Sequence, residues 1–384
     1  MTLTFLTNFI NHHQVPLADE YYKILGDSYH FVATIPIPES FARNGYSDYE
    51  KPYLLKAYES REKYQEMVDL CNTSDVVVIG AAPYSLVAER LRQNKVTFCD
   101  DEKMFKGYLK DCWLDWKYWL RPILKMYQHT KYRFKPYYLL GASAYVSRDV
   151  HRIGAFPNKC YKWGYFTVVP ELDIRVIMTQ KKDTTIRILW VSRFIELKHP
   201  ELMIKLAVYL DKKGYDFIIN MVGSGNLLDK FHKMIAENHL VDRINLVGSI
   251  PNSEVLNMMK SHHIFCFTSD KNEGWGAVLN EAMSHGCCAV ASNKIGAAPF
   301  LIDDGVNGLL YETGKPETFF EKVEYLINNP RQRDEMTIAA YIKMRNLWSP
   351  KNAAQSFVEL AQSKLEGRKC KITAGPCSVA PIID

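Results

Sequence analysis

Short apolar runs alternate with segments of helical spacing through the second half of the chain. Ile186–Val191, residues 216–222 and 244–247, Ile264–Phe267 and residues 287–291 have the length and the polar or glycine borders of buried strands. Residues 200–212, the stretch from Gly223-Ser224-Gly225 to about residue 238, and residues 277–285 are spaced as helices. Strands alternating with helices predict a parallel, doubly wound α/β sheet whose ligands sit at the carboxyl ends of the strands.

The first half alternates less regularly. Leu3–Thr7, residues 30–34 and 75–79, and the shorter runs 96–98 and 145–147 are expected strands; residues 16–25 and a segment from about Tyr84 are expected helices. This fits a second Rossmann-like domain. Pro170 and the polar Thr179-Gln180-Lys181-Lys182-Asp183 interrupt the pattern and place the boundary between residues 170 and 184. The expected division is residues 1–175, residues 176–349, a helix over 350–366 and a loosely held tail over 367–384.

Composition narrows the class without naming a function. A chain of 384 residues, 47% hydrophobic and 24% charged, is that of an ordinary soluble protein with room for two domains. No apolar run approaches the ~20 residues that cross a bilayer, and the amino terminus lacks the basic start of a secretory signal. The nine cysteines are scattered with no C-x2-C pair, so neither a zinc nor a redox motif is indicated and no metal is expected. Reduced cysteines in a cytoplasmic protein are the simplest account. A net charge of +5 does not by itself imply nucleic acid.

The richest chemistry lies in Lys271-Asn272-Glu273-Gly274-Trp275-Gly276-Ala277-Val278-Leu279-Asn280-Glu281. A strand precedes it and a helix follows, with one carboxylate at the loop and another about two turns on. Glycines let main-chain N–H groups approach a phosphate, and carboxylates nearby can accept hydrogen bonds from sugar hydroxyls. Arg193 and Lys198 follow the strand ending near Ser192 and, taken alone, read as two surface cations near a strand end. Gly223 and Gly225 open a helix after a strand and serve either a close approach to ribose or phosphate or a tight turn.

Glu-x7-Glu with Gly-x-Gly after the first Glu resembles the donor-site signature of GT-B glycosyltransferases, in particular the retaining group called family 4. The likeness runs over about residues 185–312. It takes in Ser192-Arg193-Phe194 with Lys198, Met221-Val222-Gly223-Ser224-Gly225, Leu246-Val247-Gly248 and Asp304-Gly305-Val306-Asn307-Gly308. The resemblance implies two Rossmann-like domains facing across a cleft, with the last helix crossing back to the first domain. It also implies metal-independent transfer from a nucleoside-diphosphate sugar, UDP or GDP, with that donor a substrate and no cofactor. On that likeness Arg193 and Lys198 meet the diphosphate, Glu273 the donor-sugar hydroxyls and Glu281 the ribose. The main chain of Gly274, Trp275, Gly276 and Ala277 meets sugar or phosphate, and Gly248 to Pro251, with Ile250, receives the base. Phe300 departs from the family, which commonly has an acidic residue after a segment like Ile295-Gly296-Ala297-Ala298-Pro299.

In the first domain Asn11-His12-His13-Gln14 replaces the glycine-rich loop of many relatives, and His12, nearer the strand, or His13 could donate to a phosphate or orient an acceptor hydroxyl. Residues 104–138 interleave eight basic side chains and several Trp and Tyr with only Asp111 and Asp115. Such a stretch lies on an anionic membrane, binds an anionic acceptor, or is an aromatic core helix with a solvated basic face; no RNA-binding motif accompanies it, so no nucleic-acid partner is expected. The reading is a cytoplasmic, possible peripheral membrane, retaining glycosyltransferase acting on a glycan or lipid-linked acceptor. Its rivals are a non-catalytic partner of another glycosyltransferase and a nucleotide-sugar epimerase.

Overall fold

The structure, a computed structural model, describes residues 1–39, 48–103, 116–181 and 184–383. The expected basic, aromatic stretch therefore falls partly outside the described residues, over 104–115. The chain forms two compact units: Met1–Thr167 with Leu347–Asp384, and Val168–Asn346.

The first unit is built on a seven-stranded sheet of β1 (Leu3–Thr7), β2 (Tyr29–Ala33), β3 (Leu54–Lys56), β4 (Val76–Ile79), β5 (Thr97–Asp101), β6 (Tyr137–Gly141) and β7 (Cys160–Lys162). Their order is β3-β2-β1-β4-β5-β6-β7, every pair parallel. The second unit holds β8 (Ile186–Val191), β9 (Phe217–Val222), β10 (Ile244–Gly248), β11 (Ile264–Phe267), β12 (Cys288–Ser292) and β13 (Leu309–Tyr311) in the order β10-β9-β8-β11-β12-β13, again all parallel. Parallel strands covered on both faces read as unbroken apolar runs. Val76–Ile79, Ile264–Phe267 and Cys288–Ser292 are buried at every position. Each sheet reverses its winding at its first strand, β1/β4 and β8/β11, which is where an open α/β sheet offers a crevice.

Local signals set several helix starts. Ser60 accepts the Lys63 N–H at the head of the Arg61–Thr73 helix, and Ser349 accepts the Asn352 N–H ahead of Pro350, the first residue of the Pro350–Leu365 helix. That last helix belongs to the first unit and packs on the Val15–Leu25 helix. Its Phe357 is fully buried among Tyr21, Phe98 and Trp163, with ring centroids 5.7, 5.0 and 5.9 Å away.

Three expectations need correction, and three short strands were not anticipated. Residues 145–147 are not a strand: Val146–Arg152 is a helix that buries Val146 and Val150, one turn apart, and the strand of that region is Tyr137–Gly141. The edge strands β3, β7 and β13 are three residues each, too short for a periodic signal. The units divide at Thr167/Val168 rather than at 175/176, because residues 169–178 are tied into the second unit. There Tyr341 Oη donates to the Pro170 carbonyl at 2.9 Å and accepts from the Leu172 N–H, and Ile174 and Met178 pack on its ring. Finally, the tail is not loosely held. It runs antiparallel to β7 at Tyr161 and Val379, with Cys377 N–H donating to Lys162 O and Lys162 N–H to Ser378 O, both at 2.8 Å. The exposed ladder of an edge strand needs such cover, and no periodicity in the segment announces it.

Truncating Phe357 to Ala should leave a cavity where three rings converge and cost about 3–5 kcal/mol. Chemical denaturation followed by tyrosine and tryptophan fluorescence should show that loss as a lowered midpoint; an unchanged midpoint would mean that the helix is not part of the first unit's core.

Candidate active site

The site residues of the second unit gather where β8, β9 and β11 end. The loops after β8 and β9 are laced together by main chain: Ser192 N–H donates to Val222 O at 3.0 Å, Phe194 N–H to Ser224 O at 2.9 Å and Leu227 N–H to Phe194 O at 3.2 Å. This contact explains both glycines. A Cβ on Gly223, where φ is +135°, would stand 1.9 Å from Ser192 O, and one on Gly225 would stand 2.4 Å from Phe194 O. Gly223 and Gly225 thus hold two loops against each other, a role beyond the ligand approach and the tight turn that their spacing suggested.

Arg193 projects from this laced segment with its side chain exposed. Five residues on, Lys198 turns inward. Thr268 Oγ1, after β11, donates to the Lys198 carbonyl at 2.6 Å and accepts from the Trp190 indole N–H at 2.9 Å, while Asp270 N–H donates to Leu197 O at 3.0 Å. The Lys198 ammonium forms an ion pair with Glu273, both side chains nearly buried, at 12% and 13% exposure. In so dry a setting each charge depends on the other.

His199 and Asp270 belong to this constellation and were not singled out by sequence. His199, with φ at +47°, bonds Glu201 through Nδ1 at 2.8 Å and Asp270 through Nε2 at 3.4 Å. Those hydrogen bonds, to Asp270 first and then Glu201, raise its pKa to about 9, so it is a cation at neutral pH. The available signal was its place directly after Lys198, before Pro200.

Gly274 and Trp275 are buried. The Trp275 indole is core: its N–H donates to Asn280 Oδ1 at 2.9 Å and its ring lies 6.3 Å from that of Phe300. Trp275 can therefore offer a ligand only main chain, and its carbonyl already accepts the Ala297 N–H. The same contact accounts for Phe300, which is a packing residue in this chain. Gly276, with φ at +90°, lies so close to Phe267 that a Cβ would stand 2.5 Å from the ring. Ala277 caps the Val278–Ser284 helix.

Glu281, on that helix, is buried and accepts one long bond, 3.3 Å, from Asn252 Nδ2. Burial pushes its pKa up to about 7, against which the Asn252 bond works only in part. Asn252 follows Ile250 and Pro251 after β10, so the expected base and ribose positions adjoin. An acceptor-rich side chain so nearly out of water gains from ligand hydroxyls.

In the first unit His12 and His13 lie in the loop after β1 with ring centroids 3.8 Å apart. Burial lowers both pKa values, that of His13 to about 3 with His12 adding to the effect, so both rings are neutral at pH 7. His13 stacks on Tyr165 at 6.1 Å and lines a cavity with Tyr21, Asp100 and Trp163. Of the pair, His13 is the one the cavity receives.

Residues 177–343, almost all of the second unit, match the family described as glycosyl transferases group 1. An uncharacterized glycosyltransferase of Methanocaldococcus jannaschii is 31% identical over 147 residues, 38% of this chain and 39% of its own length. The amylovoran biosynthesis glycosyltransferase AmsK of Erwinia amylovora is 27% identical over 182 residues, 46% of this chain and 44% of its own length. The chain thus spans less than half the length of these relatives. Among solved structures, HepE of Anabaena in complex with UDP has a TM-score of 0.67 at 14% identity, covering 94% of this chain and 100% of that one. The apo form of the lipopolysaccharide outer core galactosyltransferase WaaB scores 0.66 at 15% identity, covering 96% of this chain and 99% of WaaB. These likenesses establish the fold as GT-B.

The Glu281 shift has a definite sign. Its folded pKa, about 7, lies above the ordinary 4.5, so the folded state pays for ionisation and loses stability as pH rises through that window. Glu281→Gln should remove a cost on the order of 3 kcal/mol above about pH 7 and almost none below about pH 4.5. Thermal midpoints of both proteins across that range are the check; a constant difference would mean that Glu281 is solvated.

Proposed function

We propose that the chain is a glycosyltransferase that moves a sugar from a nucleoside-diphosphate donor, UDP- or GDP-linked, to a glycan or lipid-linked acceptor. The observation that carries this reading is the Lys198–Glu273 pair, set at the ends of β8 and β11 beside an exposed Arg193. The family match over residues 177–343 supports it, and so does the fold shared with a UDP-bound neighbour.

In the proposed mechanism the diphosphate lies against Arg193 and Lys198, whose fixed charge compensates the negative charge that develops as the glycosidic bond breaks. Lys198 is then shared between Glu273 and phosphate, which holds Glu273 at the sugar hydroxyls. Glu281 accepts from the ribose, main chain of Gly274 to Ala277 meets sugar or phosphate, and the turn at Ile250 receives the base. We assign retention of configuration: the departing phosphate oxygen takes the acceptor proton on the face it leaves, while the acceptor oxygen bonds to the anomeric carbon. No protein base and no metal is then needed for transfer. Neutral His12 or His13 fits the orientation of an acceptor hydroxyl.

Binding of one nucleotide sugar should raise the thermal midpoint in step with its concentration, and Glu281→Ala should abolish the shift. Glu273→Ala should lower turnover by roughly a hundredfold or more, as expected for loss of a group that acts on the transition state. A protein that stays folded yet responds to no UDP, GDP, ADP or CMP conjugate would overturn the reading.

We also place the chain at an anionic membrane surface in use. No helix of the described residues is long and apolar enough to cross a membrane. Around the Trp116–Lys131 helix, however, Ile123, Leu124, Tyr127 and Phe134 are 57%, 48%, 59% and 81% exposed. Lys131 lies over the Tyr127 ring and Arg133 over that of Phe134, so apolar and basic groups share one surface. Vesicles containing phosphatidylserine should sediment the protein and neutral vesicles should not, with Phe134→Asp weakening the effect; equal sedimentation by both would count against it.

A further inference from the structure

At the carboxyl end of β5, in the first unit, three side chains of different chemistry converge without being part of the site above. Cys99 and Asp101 are two apart on the strand and so point to one face. His129 reaches them from the Trp116–Lys131 helix. The Cys99 thiol, an Asp101 carboxylate oxygen and an imidazole nitrogen of His129 all lie within 4.8 Å of one another.

Two details point to a ligand rather than to packing. His129 is fully buried, yet neither ring nitrogen has a hydrogen-bond partner among the described residues. Leaving both unsatisfied is costly, and buried polar groups rarely stay so. Its Nε2 stands 3.6 Å from Asp101 Oδ2. That is longer than a hydrogen bond, but it matches the roughly 3.3–3.8 Å that separates two donors sharing a tetrahedral ion with bonds of about 2.0–2.3 Å.

We propose that Cys99, Asp101 and His129 bind a divalent cation, with Zn²⁺ the best match, which clamps the Trp116–Lys131 helix to the end of β5. Thiolate, imidazole and carboxylate together suit a borderline-soft ion and not Mg²⁺ or Ca²⁺, which take oxygen ligands. The surroundings are those of a closed site. The rings of Tyr84, Tyr137 and Phe156 stand 5.6, 6.2 and 5.0 Å from the imidazole, and Tyr84 Oη lies 3.2 Å from Cys99 Sγ. Lys125 also pairs with Asp101 Oδ2; it is 30% exposed, so its ammonium can swing to solvent as the ion binds. The thiol proton leaves to solvent when the metal–sulfur bond forms, and nothing is oxidised or reduced. The site is independent of the transfer reading, which places no metal at the donor.

The full chain, produced with Zn²⁺ in the medium and desalted, should carry about one zinc per molecule by elemental analysis. Cys99→Ser and His129→Ala should each bind it at least about tenfold more weakly, while Lys125→Ala binds it as well or better. Replacement by Co²⁺ should give a thiolate-to-cobalt charge-transfer band in the folded wild type that Cys99→Ser lacks. This spectrum decides the matter even if a ligand variant fails to fold. Wild type without stoichiometric zinc or without that band would overturn the proposal, as would zinc retained in full by both ligand variants.

Discussion

The close approach of main chain to main chain beyond β8 and β9 is the constraint on which the second unit's site depends. Only a residue without Cβ fits against Ser192 O or Phe194 O, so Gly223 and Gly225 decide where the β8 loop runs. That path sets Arg193 outward and brings Lys198 under Thr268 and Asp270, the first residues beyond β11. The ion pair with Glu273 follows from the path. Glycine here is a packing residue first.

Charge is then held in a setting where it is expensive. Lys198 and Glu273 relieve each other, and breaking the pair would strand the survivor. Glu281 has no cation and one long hydrogen bond, so its folded form resists ionisation near neutrality. His199 has the opposite fate, since Asp270 and Glu201 keep it charged. One ion pair, one reluctant acid and one stabilised imidazolium thus stand on the loops after β8 and β11 and the helix that follows. Ionisable groups whose surroundings push their protonation in opposite directions cluster at functional sites.

The resemblance of residues 185–312 and the family match over 177–343 describe the same part of the chain. The first unit was harder to read for a physical reason. Its edge strands are short, its β1 loop has histidines in place of glycines, and its sheet is finished by a tail with no periodicity. Trp275 shows a related limit: the sequence assigned a role to its main chain alone, and only its contacts with Asn280 and Phe300 reveal a core side chain.

What the sequence determined by itself were the elements and the loops that bear chemistry, because period and turn residues act over a few positions. Apolar runs made β8, β9, β11 and β12 legible, and the two glutamates eight apart marked the loop to watch. Tertiary structure decided the rest: which glycines touch backbone, which histidine reaches a cavity, and how far Glu281 is withdrawn from water. It alone brought His129 to Cys99 and Asp101, since a helix and a strand far apart in sequence meet only when the sheet is covered. Local pattern cannot encode that distance, because the cost of closing a loop and the gain from burial are settled by the whole fold.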